Sequence, residues 1–160
     1  MDLLLWRHAE AEDGFPDETR KLTTRGEQQA KQMAKWINKH APKDLRIIAS
    51  PALRCQQTAQ ALGRPFETDT RLSTSGNACS LLAAAGWPDG GSNKQSPTGE
   101  PAVLVIGHQP TLGQAAAHLL SGSEADWPIK KGAVWWFNYR ASGREIKTFL
   151  KSVLSADRCT

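Results

Sequence analysis

Four side chains in this sequence are of the types that bind and attack phosphate, and each lies just after an apolar run. Arg7 and His8 follow residues 3–6, Arg54 lies shortly after 45–49, and His108 follows 102–106. An arginine is a permanent cation whose planar guanidinium matches phosphate or carboxylate oxygens. A histidine serves at neutral pH as a nucleophile or as an acid and base. Together, these residue types fit a compact dianion such as a phosphoryl group.

The three apolar runs are typical of buried strands in a parallel sheet. In open α/β sheets, ligands bind beyond the carboxyl ends of such strands. A single charged residue after a strand is ordinarily just a solvent-exposed turn. Here the order of strand, polar residue and helix recurs, so we expect Arg7, His8, Arg54 and His108 to meet at one edge of the sheet.

Two helices are predicted between these strands. The first begins with Thr24 and Glu27, spaced as a capping box, and ends near His40. The second begins with Ser50 as N-cap and Pro51 at the first helical position, and it ends at Gly63. Four small or apolar residues give the second helix its buried stripe, and Arg54 lies off it in the first turn: Ala52, Cys55, Ala59 and Leu62. A helix N-terminus attracts anions, and an Arg54 facing the same ligand would strengthen that attraction. A first-turn arginine that is simply solvated fits this position equally well.

The remaining pattern completes an α/β arrangement. Residues 65–69 form a predicted edge strand, 77–85 a short helix, and 87–101 a mobile loop rich in Gly, Pro and Ser. Pro110 opens a further helix, and residues 133–139 and 145–150 form a closing hairpin. We therefore predict a three-layer α/β/α sandwich with a mostly parallel central sheet and an antiparallel C-terminal element. It forms a single domain over 1–154, followed by a frayed tail over 155–160.

Composition narrows the class of protein. A chain of 160 residues, 39% hydrophobic and 22% charged, is of ordinary globular composition. The net charge of +4 is scattered rather than gathered into a stripe, so we expect no nucleic-acid partner. No apolar run is long enough to span a bilayer, and we expect no membrane partner. The protein is predicted to be a cytoplasmic monomer.

The chemistry predicted for the site needs neither metal nor cofactor. Two histidines without a third suitably spaced ligand make a poor zinc site, and the arginines supply positive charge. Three widely spaced cysteines form no metal or redox motif, which favours free thiols in a reducing compartment. Cys55 falls on the apolar side of its helix, so we do not expect it to be a nucleophile.

The sequence resembles the histidine phosphatase superfamily. Arg7-His8-Ala9 is similar to the family's Arg-His-Gly signature, and residues 22–26, 50–59 and 107–112 resemble its further blocks in the same order. Small size and the Lys130-Lys131 pair before the hairpin point to the SixA-type branch. The resemblance implies a phosphoglycerate mutase-like fold and a phosphorylated His8 intermediate. It also implies that Arg7, Arg54 and His108 hold the phosphoryl group.

Two positions depart from the family pattern. Ala9 replaces the usual glycine, and Ser73 stands where many members place a carboxylate that protonates the leaving oxygen. An alkyl phosphate ester needs such an acid, whereas the P–N bond of phosphohistidine is labile. We therefore expect a phosphohistidine phosphatase acting on a signalling protein. Glu10, an expected substrate-binding residue, or Glu12 could still supply a proton. A phosphatase of small phosphate esters and a non-catalytic phosphoprotein-binding module are the alternatives.

Overall fold

A computed structural model describes residues 1–91 and 99–159 as a six-stranded sheet with helices on both faces. The strands are β1 Asp2–Arg7, β2 Arg46–Ala49, β3 Glu67–Thr68, β4 Ala102–Gly107, β5 Val134–Ser142 and β6 Glu145–Leu154. The helices are α1 Thr24–His40, α2 Leu53–Gln60, α3 Ala78–Ala85 and α4 Thr111–Ser121, with 3-10 turns at Asp17–Thr19, Thr70–Leu72 and Ala156–Arg158. No described helix has the length and hydropathy needed to cross a membrane.

The strand order is β3-β2-β4-β1-β5-β6. The first four strands in this order run parallel, and β5 and β6 are antiparallel additions. The sandwich predicted from the sequence is confirmed, including the mostly parallel centre and the antiparallel hairpin at the C-terminal end.

The side chains of β1 alternate between two cores, one on each face of the sheet. Leu4 and Trp6 pack with α1 and α2, whereas Leu3 and Leu5 pack with α3 and α4. All four are fully buried, as expected for a central parallel strand covered on both faces. Burial on both faces fixes the strand register, because a slip of one residue would exchange the two sets.

The register brings the ends of three strands together. Arg7 of β1 is paired with Gly107 of β4, and the backbone N–H of His8 donates to the Gly107 carbonyl. On the other side of β4, the Ser50 N–H donates to the Ile106 carbonyl. The residues that follow β1, β2 and β4 are therefore neighbours at the same edge.

The helix starts differ from those predicted. The N-cap of α1 is Thr23, whose hydroxyl accepts from Gly26 N–H, so the spacing of Thr24 and Glu27 does not form the cap. Helix α2 begins at Leu53, three residues after Ser50. The Ser50 hydroxyl is instead within hydrogen-bond distance of His108, and this tertiary contact replaces the expected capping role.

Two further predictions need correction. Arg54, expected to lie off the buried stripe of its helix, is almost wholly buried because it points into the edge where the strands end. The tail expected to be frayed contains the turn Ala156–Arg158, in which Ala156 is buried, and the Cys159 thiol contacts Met33 of α1. Residues 92–98 of the predicted mobile loop, and Thr160, lie outside the described residues.

Candidate active site

The imidazole of His8 is held in one orientation at the end of β1. Its Nδ1 lies 2.8 Å from the carbonyl oxygen of Ala9. A carbonyl only accepts hydrogen bonds, so Nδ1 carries the proton and Nε2 is unprotonated. Arg54 Nε lies 3.4 Å from that Nε2. His8 therefore presents an unprotonated nitrogen to the arginine, the form that a nucleophile requires.

His108, at the end of β4, lies beside His8 with their ring centroids 5.3 Å apart. Its Nδ1 is 3.3 Å from Arg54 Nη2, and its Nε2 is 2.7 Å from Ser50 Oγ. A guanidinium only donates, so Nδ1 accepts and Nε2 carries the proton that points to Ser50. Ser50 thereby fixes the orientation of the second histidine.

Arg54 lies between the two histidines and a loop from the N-terminal part of the chain. Its Nη1 donates to the main-chain oxygen of Asp17 at 2.8 Å, and its Nη2 to the Asp17 carboxylate at 3.0 Å. Arg20 also bonds the Asp17 carboxylate, which is half exposed. The terminal nitrogens of Arg54, which are expected to bind a phosphoryl group, thus bind Asp17 of the chain itself.

Arg7 reaches the same site from β1. Its Nη1 donates to the Ile129 carbonyl at 2.7 Å, which positions the guanidinium. Its Nε is buried and has no hydrogen-bond partner among the described residues. An unpaired buried donor is costly, so this atom marks a place where an anionic ligand would be bound favourably.

These side chains line an open cavity of about 470 Å³. Its lining is mostly polar and charged: Arg7, His8, Ala11, Asp13, Asp17, Arg20, Arg54, Thr74, His108, Gln109 and Lys131. Six of these residues carry a cationic or imidazole side chain. The structure brings together Arg7, His8, Arg54 and His108 as predicted from the strand ends.

The electrostatics keep both histidines neutral. Burial, and next the neighbouring His108 and Arg54, lower the pKa of His8 to about 3, although the Ala9 carbonyl opposes this. Burial and Arg54 lower the pKa of His108 to about 4. The hydrogen bonds from Arg20 and Arg54 hold the pKa of Asp17 below its usual value. A dianion in the cavity would raise both histidine pKa values, since an opposite charge favours the protonated form.

The structure places the expected carboxylates elsewhere. Glu10, expected to bind substrate, accepts from the Thr23 hydroxyl at 2.9 Å and does not line the cavity. Glu12 is also absent from the lining, and the Ser73 hydroxyl faces Ser75. Thr74 is the residue of that segment that reaches the cavity. Of the two carboxylates on the described walls, Asp17 is bound by arginines, which leaves Asp13.

The sequence analysis did not identify two other residues that support the site. The Thr58 hydroxyl accepts from Ala9 N–H and donates to the Arg54 carbonyl, so it joins the end of β1 to α2. Its position four residues after Arg54 is the one signal available, because mid-helix threonines often bond back to that carbonyl. Asp17 begins a short 3-10 turn within an acidic loop, and no spacing pattern in the sequence identified it.

The described residues contain no cluster of three or more His, Cys, Asp and Glu that could hold a metal ion. Cys55 lies near His108, but burial raises the pKa of its thiol to about 12. Such a thiol is not a nucleophile at neutral pH. The chemistry of the cavity therefore belongs to imidazole and guanidinium groups.

Two paired histidines, the buried Arg54 and the partly buried Arg7 at the carboxyl ends of a parallel sheet define an enzyme of phosphoryl transfer. The model of the histidine phosphatase superfamily (branch 1) matches residues 3–75. The phosphohistidine phosphatase SixA of Escherichia coli (strain K12) is 32% identical over 128 residues, covering 76% of each chain. The chain therefore belongs to the histidine phosphatase superfamily, within its SixA-type branch, and is a phosphatase.

Solved structures agree with this assignment. The protein histidine phosphatase SixA in complex with tungstate superposes with a TM-score of 0.77, at 26% identity and 98% coverage of each chain. A mycobacterial glucosyl-3-phosphoglycerate phosphatase in complex with inorganic phosphate has a TM-score of 0.69 at 18% identity, covering 97% of this chain and 98% of the other. The latter likeness concerns the fold alone, so the fold does not select the leaving group.

Proposed function

We propose that this protein is a metal-independent phosphohistidine phosphatase that acts on a phosphorylated histidine of a signalling protein. The observation that carries the proposal is the orientation of His8, whose Nδ1–H bonds the Ala9 carbonyl while Nε2 faces Arg54. A nitrogen nucleophile in this position forms a covalent phospho-His8 intermediate. The site supplies positive charge through arginines rather than through a metal ion.

In the first step, His8 Nε2 forms a bond to phosphorus while the bond from phosphorus to the substrate nitrogen breaks. The phosphorylated ring is cationic, because Nδ1 keeps its proton, and the Ala9 carbonyl stabilises that charge through the existing bond. Water then forms a new P–O bond as the P–Nε2 bond breaks. Inorganic phosphate leaves and His8 returns to its starting form.

Arg7, Arg54 and His108 have complementary roles in both steps. Arg7 offers its unpaired Nε, and Arg54 turns its terminal nitrogens from Asp17 to the phosphoryl oxygens. His108 takes up a proton when the dianion enters and donates it from Nδ1 to an oxygen. These donors surround the equatorial oxygens, where charge develops in the transition state.

The carboxylates of the cavity favour a nitrogen leaving group. Asp17 is held ionised by two arginines, and Ser73 and Thr74 provide no acid. An imidazole leaving group can be protonated before it departs, whereas an alkoxide needs a positioned acid. A small phosphate ester is the second candidate substrate. The observation that favours it is the position of Asp13 on the cavity wall, because this carboxyl group would then supply the proton.

The proposed enzyme is a monomer of the cytoplasm. The described cysteines are unpaired, which fits the reducing compartment expected from the sequence. Gel filtration at micromolar concentration checks the monomeric state, and a shift to the dimer volume would contradict it.

The decisive test presents a chemically phosphorylated histidine peptide, p-nitrophenyl phosphate and a sugar phosphate to the protein without metal. Phosphate release should be fastest from the phosphohistidine peptide. After acid-free quenching, mass spectrometry should locate the phosphoryl group on His8. Faster release from the sugar phosphate would instead establish the ester phosphatase.

A further inference from the structure

A second groove adjoins the active site. It has a volume of about 260 Å³ and lies between one face of α1 and the segment before β5. The residues that line it are almost all polar or charged: Arg25, Gln28, Gln29, Gln32, Lys130, Lys131, Ser155, Ala156 and Asp157. Lys131 lines both this groove and the catalytic cavity. We call this surface the basic groove.

The basic groove is fixed to the catalytic strand by Gly132. Its N–H lies 3.1 Å from the carbonyl oxygens of both Arg7 and His8. Gly132 has a φ of +74°, and an added Cβ would lie 3.4 Å from Gln29 of α1 and Ala156 of the C-terminal turn. The walls of the groove are therefore packed around the same turn that supports the nucleophile.

The charge of the groove is largely uncompensated. Three cations and one carboxylate line it, and neither Lys130 nor Lys131 forms an ion pair with any described residue. Arg25 is 77% exposed, and its ion pair with Glu10 is long, at 3.9 Å. The polar lining suits neither an apolar ligand nor a buried helix, but it complements an extended acidic segment.

We propose that the basic groove binds an acidic stretch of the phosphoprotein substrate, next to the phosphoryl group that occupies the catalytic cavity. This docking function rests on the proposed phosphohistidine phosphatase activity. Lys131, shared by the two surfaces, marks where the acidic stretch passes from the groove to the reacting phosphorus. Charge complementarity of this kind increases the rate of productive encounter and discriminates between partners.

The test uses two phosphohistidine peptides that differ only in their flanks, which are glutamates in one and glutamines in the other. The enzymes are the wild type, the double variant Arg25→Glu/Lys130→Glu and the control Lys43→Glu. Lys43 is exposed and precedes β2, so it lies at the opposite edge of the sheet from the site. Hydrolysis of p-nitrophenyl phosphate reports on the integrity of the catalytic cavity.

We expect the wild type and Lys43→Glu to prefer the glutamate peptide about tenfold in kcat/KM, through KM, and to lose that preference at high salt. The double variant should show no preference while its rate on p-nitrophenyl phosphate stays within about twofold of wild type. An undiminished preference in the double variant overturns the docking proposal and leaves the phosphatase proposal standing. Equal loss on both peptides and the aryl ester also overturns it, because the residues would then be structural. Absence of wild-type activity on either phosphohistidine peptide overturns both proposals.

Discussion

Both terminal nitrogens of Arg54 contact Asp17, one through the main-chain oxygen at 2.8 Å and one through the carboxylate at 3.0 Å. A carboxylate in this position occupies donors that a phosphoryl group needs. The loop around Asp17 is thereby attached to the active site. When an anion binds, it replaces Asp17 as the negative partner of Arg54. The anion and the Asp17 carboxylate therefore compete for the same guanidinium.

Removing that competing charge should tighten anion binding. In Asp17→Asn, we expect the inhibition constant of tungstate to fall about three- to tenfold, since a nearby like charge weakens anion binding. Inhibition titrations with p-nitrophenyl phosphate as substrate give the constant. Glu18→Gln is the matched control, because Glu18 neighbours Asp17 in the same 3-10 turn without contacting Arg54. Weaker tungstate binding in Asp17→Asn would show that Asp17 orients Arg54 rather than competing for it.

Replacing the nucleophile should abolish turnover. We expect no measurable phosphate release from His8→Ala and a loss of about 10²-fold or more from Arg54→Ala, as for other transition-state donors. Arg54→Lys should recover little, because an ammonium does not reproduce the planar fork. His40→Ala, at the exposed end of α1, should behave as wild type. A near-normal rate for His8→Ala rules out the covalent intermediate.

Chelation should leave the activity unchanged. Guanidinium and imidazole groups provide the positive charge of the cavity, so EDTA is expected to have no effect on phosphate release. Tungstate and vanadate should inhibit because they resemble the transferring group. Loss of activity in EDTA that a divalent ion restores would contradict this prediction.

A carboxylate introduced at the correct position should improve hydrolysis of alkyl esters. Thr74 lines the cavity, whereas the Ser73 hydroxyl bonds Ser75, so Thr74→Glu should raise alkyl ester turnover more than Ser73→Glu. General acids contribute about 10²–10⁴-fold, and we expect part of that range. The ratio of kcat/KM for a sugar phosphate to that for phosphohistidine measures the change. An equal effect of both substitutions would indicate that the segment containing Ser73 and Thr74 is flexible enough to bring either side chain into the cavity.

Stability should decrease as the pH falls below about 6.5. Burial lowers the pKa of His8 to about 3 and of His108 to about 4, below the value of about 6.5 in the unfolded chain. The unfolded state therefore binds more protons between these limits, and each histidine contributes a slope of about 1.4 kcal/mol per pH unit. This contribution to stability is complete well above pH 6.5 and is lost as the pH falls toward 4 for His108 and toward 3 for His8.

Urea unfolding between pH 7 and pH 4 measures that slope, and His108→Gln should reduce it by about half. Asp17 does not obscure the result, since its lowered pKa affects stability only near and below the ordinary carboxyl value of about 3.9. A profile that is flat across this range would mean that the histidines are accessible to solvent in the folded protein.

The sequence by itself determined the sheet and the edge at which the site forms. Apolar runs of strand length before His8 and His108, separated by helical periodicity, required parallel strands whose carboxyl ends meet. Arg7 is paired with Gly107 in the sheet, so the two histidines had to be neighbours once the strands were adjacent. The apolar runs and the helical periodicity were sufficient to predict the sheet, because each of these patterns lies within a single strand or helix.

Only the tertiary structure decided which groups face the reacting phosphorus. Ser50 matched an N-cap pattern but bonds His108, and Glu10 matched an acid near the nucleophile but bonds Thr23. Asp17 reaches Arg54 across 37 residues of chain, from a loop without periodicity. The orientation of a polar side chain is determined by the hydrogen-bond partner that the folded chain brings closest to it. That partner is set by packing between distant segments, which no spacing in the sequence records.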